Sequence, residues 1–221
     1  MTDNSSPTAL GAVLRHLMPL AGVRVLDVGA GNGAMRAPLQ NLGALWHGID
    51  PFGPENVVDI TRAPAQSMPF RAGSFEKALS VNALHHVPVQ AMGAALCEVA
   101  RVLGPDGLFL VIEPEVLGDL SQVVAVIDDE AAIRAAAQEA MDATVADGLF
   151  CEVARESYTR TERYAGFDDF AARIAQVSAE RADAISTERP ALMAMFERLA
   201  GIEGAKRTLT QPMLARLLRV A

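Results

Sequence analysis

The chain reads as an α/β protein built on a doubly wound, mostly parallel sheet, and three features of its 221 residues say so. Short apolar runs alternate with helical patterns from about residue 20 to residue 114, the rhythm of strand–helix–strand units. The run Leu108 to Ile112 is apolar throughout, as a strand covered on both faces must be. The series opens on VLDVGAGNGA, residues 25–34, a short strand that ends in glycines at alternate positions. Such an ending lets backbone approach a ligand where a side chain would collide.

Taken in order, the first residues are polar and expected to be disordered. Ser6 or Thr8 is placed to cap a helix carrying Leu10, Val13, Leu14 and Leu17, which Pro19 ends. After the strand at 25–28, a helix is expected from about Ala34 to Leu42, with Gly43 at its C-terminal cap. Pro38 requires that helix to start late or to kink. Strands follow at 45–49, 57–60 and 77–81, then an amphipathic helix at 89–103 with Ala95, Leu96, Val99 and Leu103 on one side. The turn GPDG at 104–107 leads into the fifth strand.

Beyond Glu115 the pattern turns helical. Residues 128–145 are alanine-rich with high helix propensity, and Gly148 stops them. A strand is expected at 156–164, helices at 167–177 and 190–199, and a closing strand at 213–220, making seven strands in all. The whole is read as one domain over 1–221, with a core at about 20–114 and a helical lid at about 115–200.

Composition narrows the function. A formal charge of −8 with no Lys/Arg run argues against a nucleic-acid partner. Cys97 and Cys151 are too few for a disulfide framework or a zinc site and are expected to be buried small hydrophobes. No metal site is expected, since no two histidines show zinc spacing. The start MTDNSSPTALG lacks a basic region followed by an apolar core, and no apolar run reaches membrane-spanning length. A cytoplasmic protein that does not bind membranes is therefore expected, as monomer or homodimer.

The chemistry begins at Asp27, two residues before Gly29. A dinucleotide fingerprint, GxGxxG/A, can be laid over Gly29, Gly31 and Ala34, so glycine spacing does not discriminate between nucleotide ligands. Asp27 either holds the glycine loop or faces a cationic ligand head. Asp50, about 20 residues on at the end of the second strand, is placed to accept both hydroxyls of a ribose, or else simply starts a turn with Pro51.

Asp27 with the glycines resembles motif I of the class I S-adenosylmethionine-dependent methyltransferases. The block AQSMPFRAGSFEKALSVNALHHV, residues 65–87, is similar to that family's adenine-contacting loop, its L/M-P-F turn, its G-S-F-D/E strand entry and its strand ending in HHV. ARVLGPDGLFLVIEP, residues 100–114, resembles the family's approach to strand five. Together the matches cover about residues 23–114, and ordered motifs in sequence are far more specific than any one of them.

The resemblance implies a Rossmann-like sheet in the order 3-2-1-4-5-7-6 with the last strand antiparallel. It also implies S-adenosyl-L-methionine as cofactor, held by Asp27, Gly29, Ala30, Gly31, Asp50, Pro51, Ala65, Gln66 and Asn82. Pro64 stands where an acid often binds the adenine amino group, which leaves Gln66 and backbone near Ala65 for that contact. Asp106 replaces the first glycine of the usual P-G-G turn.

His85 and His86 follow the fourth strand, where the resemblance puts the methyl group and the substrate. Either one accepts a substrate proton, or one caps the turn and the other faces solvent. Glu113 ends the neighbouring fifth strand and is placed to orient His85, with His86 as second choice, or to cap the next helix. His16 and His47 are expected to be structural. The implied activity is methyl transfer to a small molecule. A binder of S-adenosylmethionine without turnover and a nucleotide-dependent oxidoreductase are the rival readings. DNA amino-methylation is disfavoured, because no N/D-P-P-Y/F motif follows strand four.

Overall fold

In the computed structural model, which describes residues 8–221, strands and helices alternate up to residue 114. The elements are α1 (Ala9–His16), β1 (Arg24–Val28), α2 (Arg36–Asn41), β2 (Leu45–Ile49), β3 (Ile60–Thr61), β4 (Lys77–Val81), α3 (Val89–Leu103) and β5 (Leu108–Pro114). Then come α4 (Asp119–Val124), α5 (Ala131–Ala146), β6 (Phe150–Tyr164), α6 (Phe167–Ala175), α7 (Ala179–Leu199), β7 (Gly201–Glu203) and β8 (Lys206–Val220).

The strands form one sheet in the order β3-β2-β1-β4-β5-β8-β6, with β7 paired to β8. β1, β2, β3, β4 and β5 pair with one another in parallel. β8 runs against β5: the Val220 N–H donates to the Gly107 carbonyl at one end and the Glu115 N–H to the Pro212 carbonyl at the other. The expected seven-strand order with an antiparallel C-terminal strand is therefore the one observed, with the short β7 added as an eighth strand.

Two compact units emerge from the packing. Among the described residues, the first comprises 8–113, 133–158 and 214–221; the second comprises 114–132 and 159–213. In the first, Leu26, Val28 and Ile49 from the strands meet Leu96, Val99 and Leu103 of α3, and Ala137 and Met141 of α5 join the same core. In the second, Tyr164, Phe167, Phe170 and Phe196 stack at ring-centroid separations of 5.1–6.2 Å around Leu192 and Leu209. Three arginines, Arg173, Arg189 and Arg207, lie over rings of that cluster at 5.0–5.3 Å, closing its edge with cations.

Local chemistry accounts for most boundaries and for the departures from expectation. Thr8 Oγ1 accepts the Gly11 N–H at 3.1 Å and so caps α1, whereas Ser6 lies outside the described residues, as does the expected disordered start. α2 starts late, which puts Pro38 in its first turn, where a missing N–H costs no helical bond. The expected strand at 57–60 is instead a turn, because the Ile60 N–H donates back to the Val57 carbonyl, and pairing begins only at Ile60.

β6 starts at Phe150, six residues before the expected start, anchored by that ring in the core. The helix expected at 190–199 begins at Ala179 and passes through Pro190. Pro190 and Ser186, whose carbonyl loses its helical donor, are both exposed, where solvent can satisfy the freed carbonyl. Cys97 and Cys151 are exposed rather than buried. Leu96, Val99 and Leu103 turn the other side of α3 inward, and Phe150 takes the inward place on β6.

Gly29 couples β1 to the turn after β4. Its φ of +74° is left-handed, and a Cβ there would overlap the Ala83 Cβ. Gly29→Ala should cost about 2–4 kcal/mol, combining a left-handed alanine with overpacking. Urea unfolding of the two proteins measures that difference directly.

Candidate functional site

The candidate cofactor and catalytic residues Asp27 to Gly31, Asp50, Pro51, Ala65, Gln66, Asn82, His85, His86 and Glu113 fall in the first unit, in or after the carboxyl-terminal halves of the parallel strands, where open α/β sheets place their ligands. The glycine turn after β1 is stapled to the end of β2. The Gly29 and Ala30 N–H groups both donate to the Ile49 carbonyl, at 2.8 and 3.1 Å. The Gly31 N–H donates to Asp50 Oδ2 at 2.9 Å, and the other Asp50 oxygen accepts the Phe52 N–H at 2.8 Å. Asp50 thus both starts the turn with Pro51 and braces the glycine loop. Gly31 has φ +52°, and the space a Cβ would enter there is open.

Asp27 lies beneath this loop at 3% exposure, accepting the Trp46 indole N–H at 3.1 Å. Burial pushes its carboxyl up to about 7, against the pull of the indole and with a further push from Asp50. Gly48 makes room for this arrangement, since a Cβ there would press on Ala30 at 2.8 Å and on the Trp46 ring at 2.9 Å. Trp46 went unnoticed in the sequence reading. The only signal for it is the alternation of β2, which sends Trp46 and Gly48 to one face.

The second cluster joins β4 to β5, whose register pairs Val81 with Ile112. Asn82 turns the chain with φ +53° and donates its N–H to the Ile112 carbonyl at 2.8 Å. The buried Asn82 Oδ1 has no hydrogen-bond partner among the described residues. The turn Leu84–His86 follows, and Glu113, 1% exposed, reaches into it. Glu113 Oε1 accepts the Ala83 and Leu84 N–H groups at 3.0 and 2.8 Å, while Oε2 meets His85 Nδ1. Glu113 does not cap the next helix: α4 begins at Gly118 without a side-chain cap.

His85 is 4% exposed and His86 exposed, their rings 4.0 Å apart between centroids. Chemically, a carboxylate on Nδ1 leaves Nε2 as the ring nitrogen that can exchange a proton. The structure thus brings His85 to Glu113, with His86 alongside. His16 bonds Glu156 at 2.8 Å and His47 bonds Thr61 Oγ1 at 2.8 Å, both away from this cluster.

Ala65 and Gln66 lie in the loop that leaves β3, half-buried. The start of that loop is tied to the site by the Asp50 N–H, which donates to the Thr61 carbonyl at 3.1 Å. No helix among the described residues is long and apolar enough to cross a membrane.

A family model described as a methyltransferase domain matches residues 26–111. The chain is 29% identical over 110 residues to a ubiquinone biosynthesis O-methyltransferase of Azorhizobium caulinodans, covering 44% of this chain and 42% of that protein. A protein of the same name from Rhizobium etli is 30% identical over 105 residues, covering 42% of each. The chain thus spans less than half the length of the curated relatives it matches. Among solved structures, the Bacillus subtilis YcgJ protein superimposes with a TM-score of 0.61 at 19% identity, over 96% of this chain and 97% of that one. At that identity the likeness is one of fold.

The raised Asp27 carboxyl has a consequence for stability. An acid that holds its proton more tightly in the fold adds stability below its unfolded value of 3.8, and loses it as pH rises to about 7. Asp27→Asn should therefore remove a decline that the wild type shows over that window, at most about 1.4 kcal/mol per pH unit. The check is urea unfolding of both proteins at about pH 4 and about pH 8; parallel behaviour would mean that Asp27 ionises freely.

Proposed function

We propose that this chain, whose residues 26–111 match a methyltransferase-domain model, is a class I S-adenosylmethionine-dependent methyltransferase that moves a methyl group from S-adenosyl-L-methionine to a hydroxyl of a small-molecule acceptor. The observation that carries this reading is the buried His85–Glu113 pair beside the glycine turn. The names of the relatives from A. caulinodans and R. etli support oxygen as the acceptor atom. A net charge of −8 supports a small acceptor over a nucleic acid.

The residues fit the cofactor. Open space over Gly31 leaves the backbone approachable, and the orphaned Asn82 Oδ1 awaits a donor, which an amino group provides. Gly29, Ala30 and Gly31 would line the aminoacyl end with Asp27 beneath, Asp50 and Pro51 the ribose, and Ala65 and Gln66 the adenine. When bound, S-adenosylmethionine supplies a methyl group on a cationic sulfur.

The protein's own part is to position and to handle one proton. Glu113 fixes the His85 ring through Nδ1 and stabilises the imidazolium that forms. His85 accepts the hydroxyl proton at Nε2 as the oxygen takes the methyl group, leaving a methyl ether and a neutral thioether. Placement of the acceptor in line supplies the rest of the rate.

Calorimetry should detect binding of S-adenosylhomocysteine and none of NAD, with Asp50→Ala weakening the former by about 1.5–3 kcal/mol. Micromolar NAD binding without S-adenosylhomocysteine binding would reverse the assignment to an oxidoreductase. In single-turnover assays with a phenolic acceptor, His85→Ala should slow transfer by about 10²–10⁴-fold, with Glu113→Gln also slow and His86→Ala close to wild type. Transfer within about threefold of wild type in all three variants would show that proximity alone suffices.

A further inference from the structure

We infer that Glu98 and Arg101 on α3 are positioning residues for the cofactor's adenine: they clamp the backbone that follows Ala65 and Gln66. The inference rests on the proposed S-adenosylmethionine reading and adds to it two residues that touch neither the glycine turn nor the His85–Glu113 pair.

The loop between β3 and β4 has little regular structure of its own, yet it must present Ala65 and Gln66 in one place. Its upstream end is fixed where the Asp50 N–H bonds the Thr61 carbonyl. Its downstream end is fixed by a single ion pair. Arg101 and Glu98, one helical turn apart, meet face to face at 2.6 and 2.8 Å. The same two side chains then grip the loop backbone three times. Glu98 Oε2 accepts the Met68 N–H at 2.8 Å, and the guanidinium donates to the Phe70 carbonyl at 2.7 Å and the Met68 carbonyl at 3.1 Å.

Beyond the clamp, the carbonyls of Arg101 and Val102 accept the N–H groups of Gly73 and Phe75, so the end of α3 holds this segment at successive points. Met68 is buried in the core, and the Phe70 ring packs edge-on against His47 and Phe75. Residues 62–67 are left as a short bridge between two fixed ends, and the turn in which the Ser67 N–H bonds the Pro64 carbonyl shapes its middle.

The clamp matters here because Pro64 has no side-chain hydrogen-bonding group to offer the adenine amino group. What remains is backbone near Ala65 and the Gln66 amide, and backbone contacts are only as good as the position of the backbone. A planar, forked guanidinium can bond two carbonyls and a carboxylate at once; an ammonium cannot hold that geometry.

The test uses the full chain, with Arg101→Gln, Arg101→Lys and Glu98→Gln, and two ligands titrated by calorimetry. The ligands are S-adenosylhomocysteine and S-ribosylhomocysteine, which is the same molecule without adenine. Arg101→Gln and Arg101→Lys should weaken S-adenosylhomocysteine by about tenfold and Glu98→Gln by about threefold, with S-ribosylhomocysteine unchanged within about twofold.

Equal weakening of both ligands would overturn the inference, because the clamp would then be supporting the site as a whole. Unchanged binding of both would overturn it as well. Glu98→Gln, which keeps shape and an acceptor for the Met68 N–H, preserves the comparison if the arginine variants fail to fold. Failure of the wild type to bind S-adenosylhomocysteine at all would instead overturn the proposed function, and this inference with it.

Discussion

A carboxylate almost wholly removed from water must find partners inside the protein, and Glu113 finds three within one turn of chain. Two backbone N–H groups and an imidazole converge on it, so the end of β5 holds the whole segment from Ala83 to His85. That segment in turn lies so close to Gly29 that no side chain fits between them. The glycine turn after β1 and the histidine turn after β4 are therefore one mechanical assembly with a buried anion at its centre. Any reading of the site's chemistry has to start from that anion, because it sets where His85 stands and which ring nitrogen is available.

The neighbouring acids divide a second task by their surroundings. Asp50 is half-buried, satisfied by the Gly31 and Phe52 N–H groups, and free to share its remaining lone pairs with a ligand. Asp27 is deep, has one indole N–H, and feels the charge of Asp50. Its ionisation is therefore costly. A cation arriving nearby offsets that cost, since an opposite charge favours the ionised form. Burial thus makes Asp27 responsive to a positively charged ligand in a way that an exposed aspartate would not be.

Similarity to known proteins follows the same division. The family match ends at residue 111, just short of Glu113, while the fold likeness runs through nearly the whole chain. The parallel strands carry the glycine turns, whose left-handed backbone and close approaches tolerate few alternatives. The second unit is held by an aromatic cluster edged with arginines, which asks only for apolar bulk in the right volume. Many sequences satisfy that requirement.

The sequence alone marked most of the strands, and its resemblance to a family implied their order. Strand periodicity marked β1, β2 and β4 almost to the residue, because a buried parallel strand must be apolar and must end at a turn. The alternating glycines were legible because the left-handed backbone of the turn after β1 restricts residue type. Even the meeting of His85 and Glu113 followed from strand order, since neighbouring parallel strands bring their carboxyl ends together.

Tertiary structure decided what depends on contacts distant in sequence. Trp46 as the partner of Asp27, and Glu98 with Arg101 on the loop after β3, left no local signature: an indole in a strand and an i,i+3 ion pair on a helix look ordinary until the chain folds over them. The exposed cysteines and the helix running through Pro190 were settled the same way. Propensity and residue type state only what a position tolerates, whereas burial and access to water set what it costs.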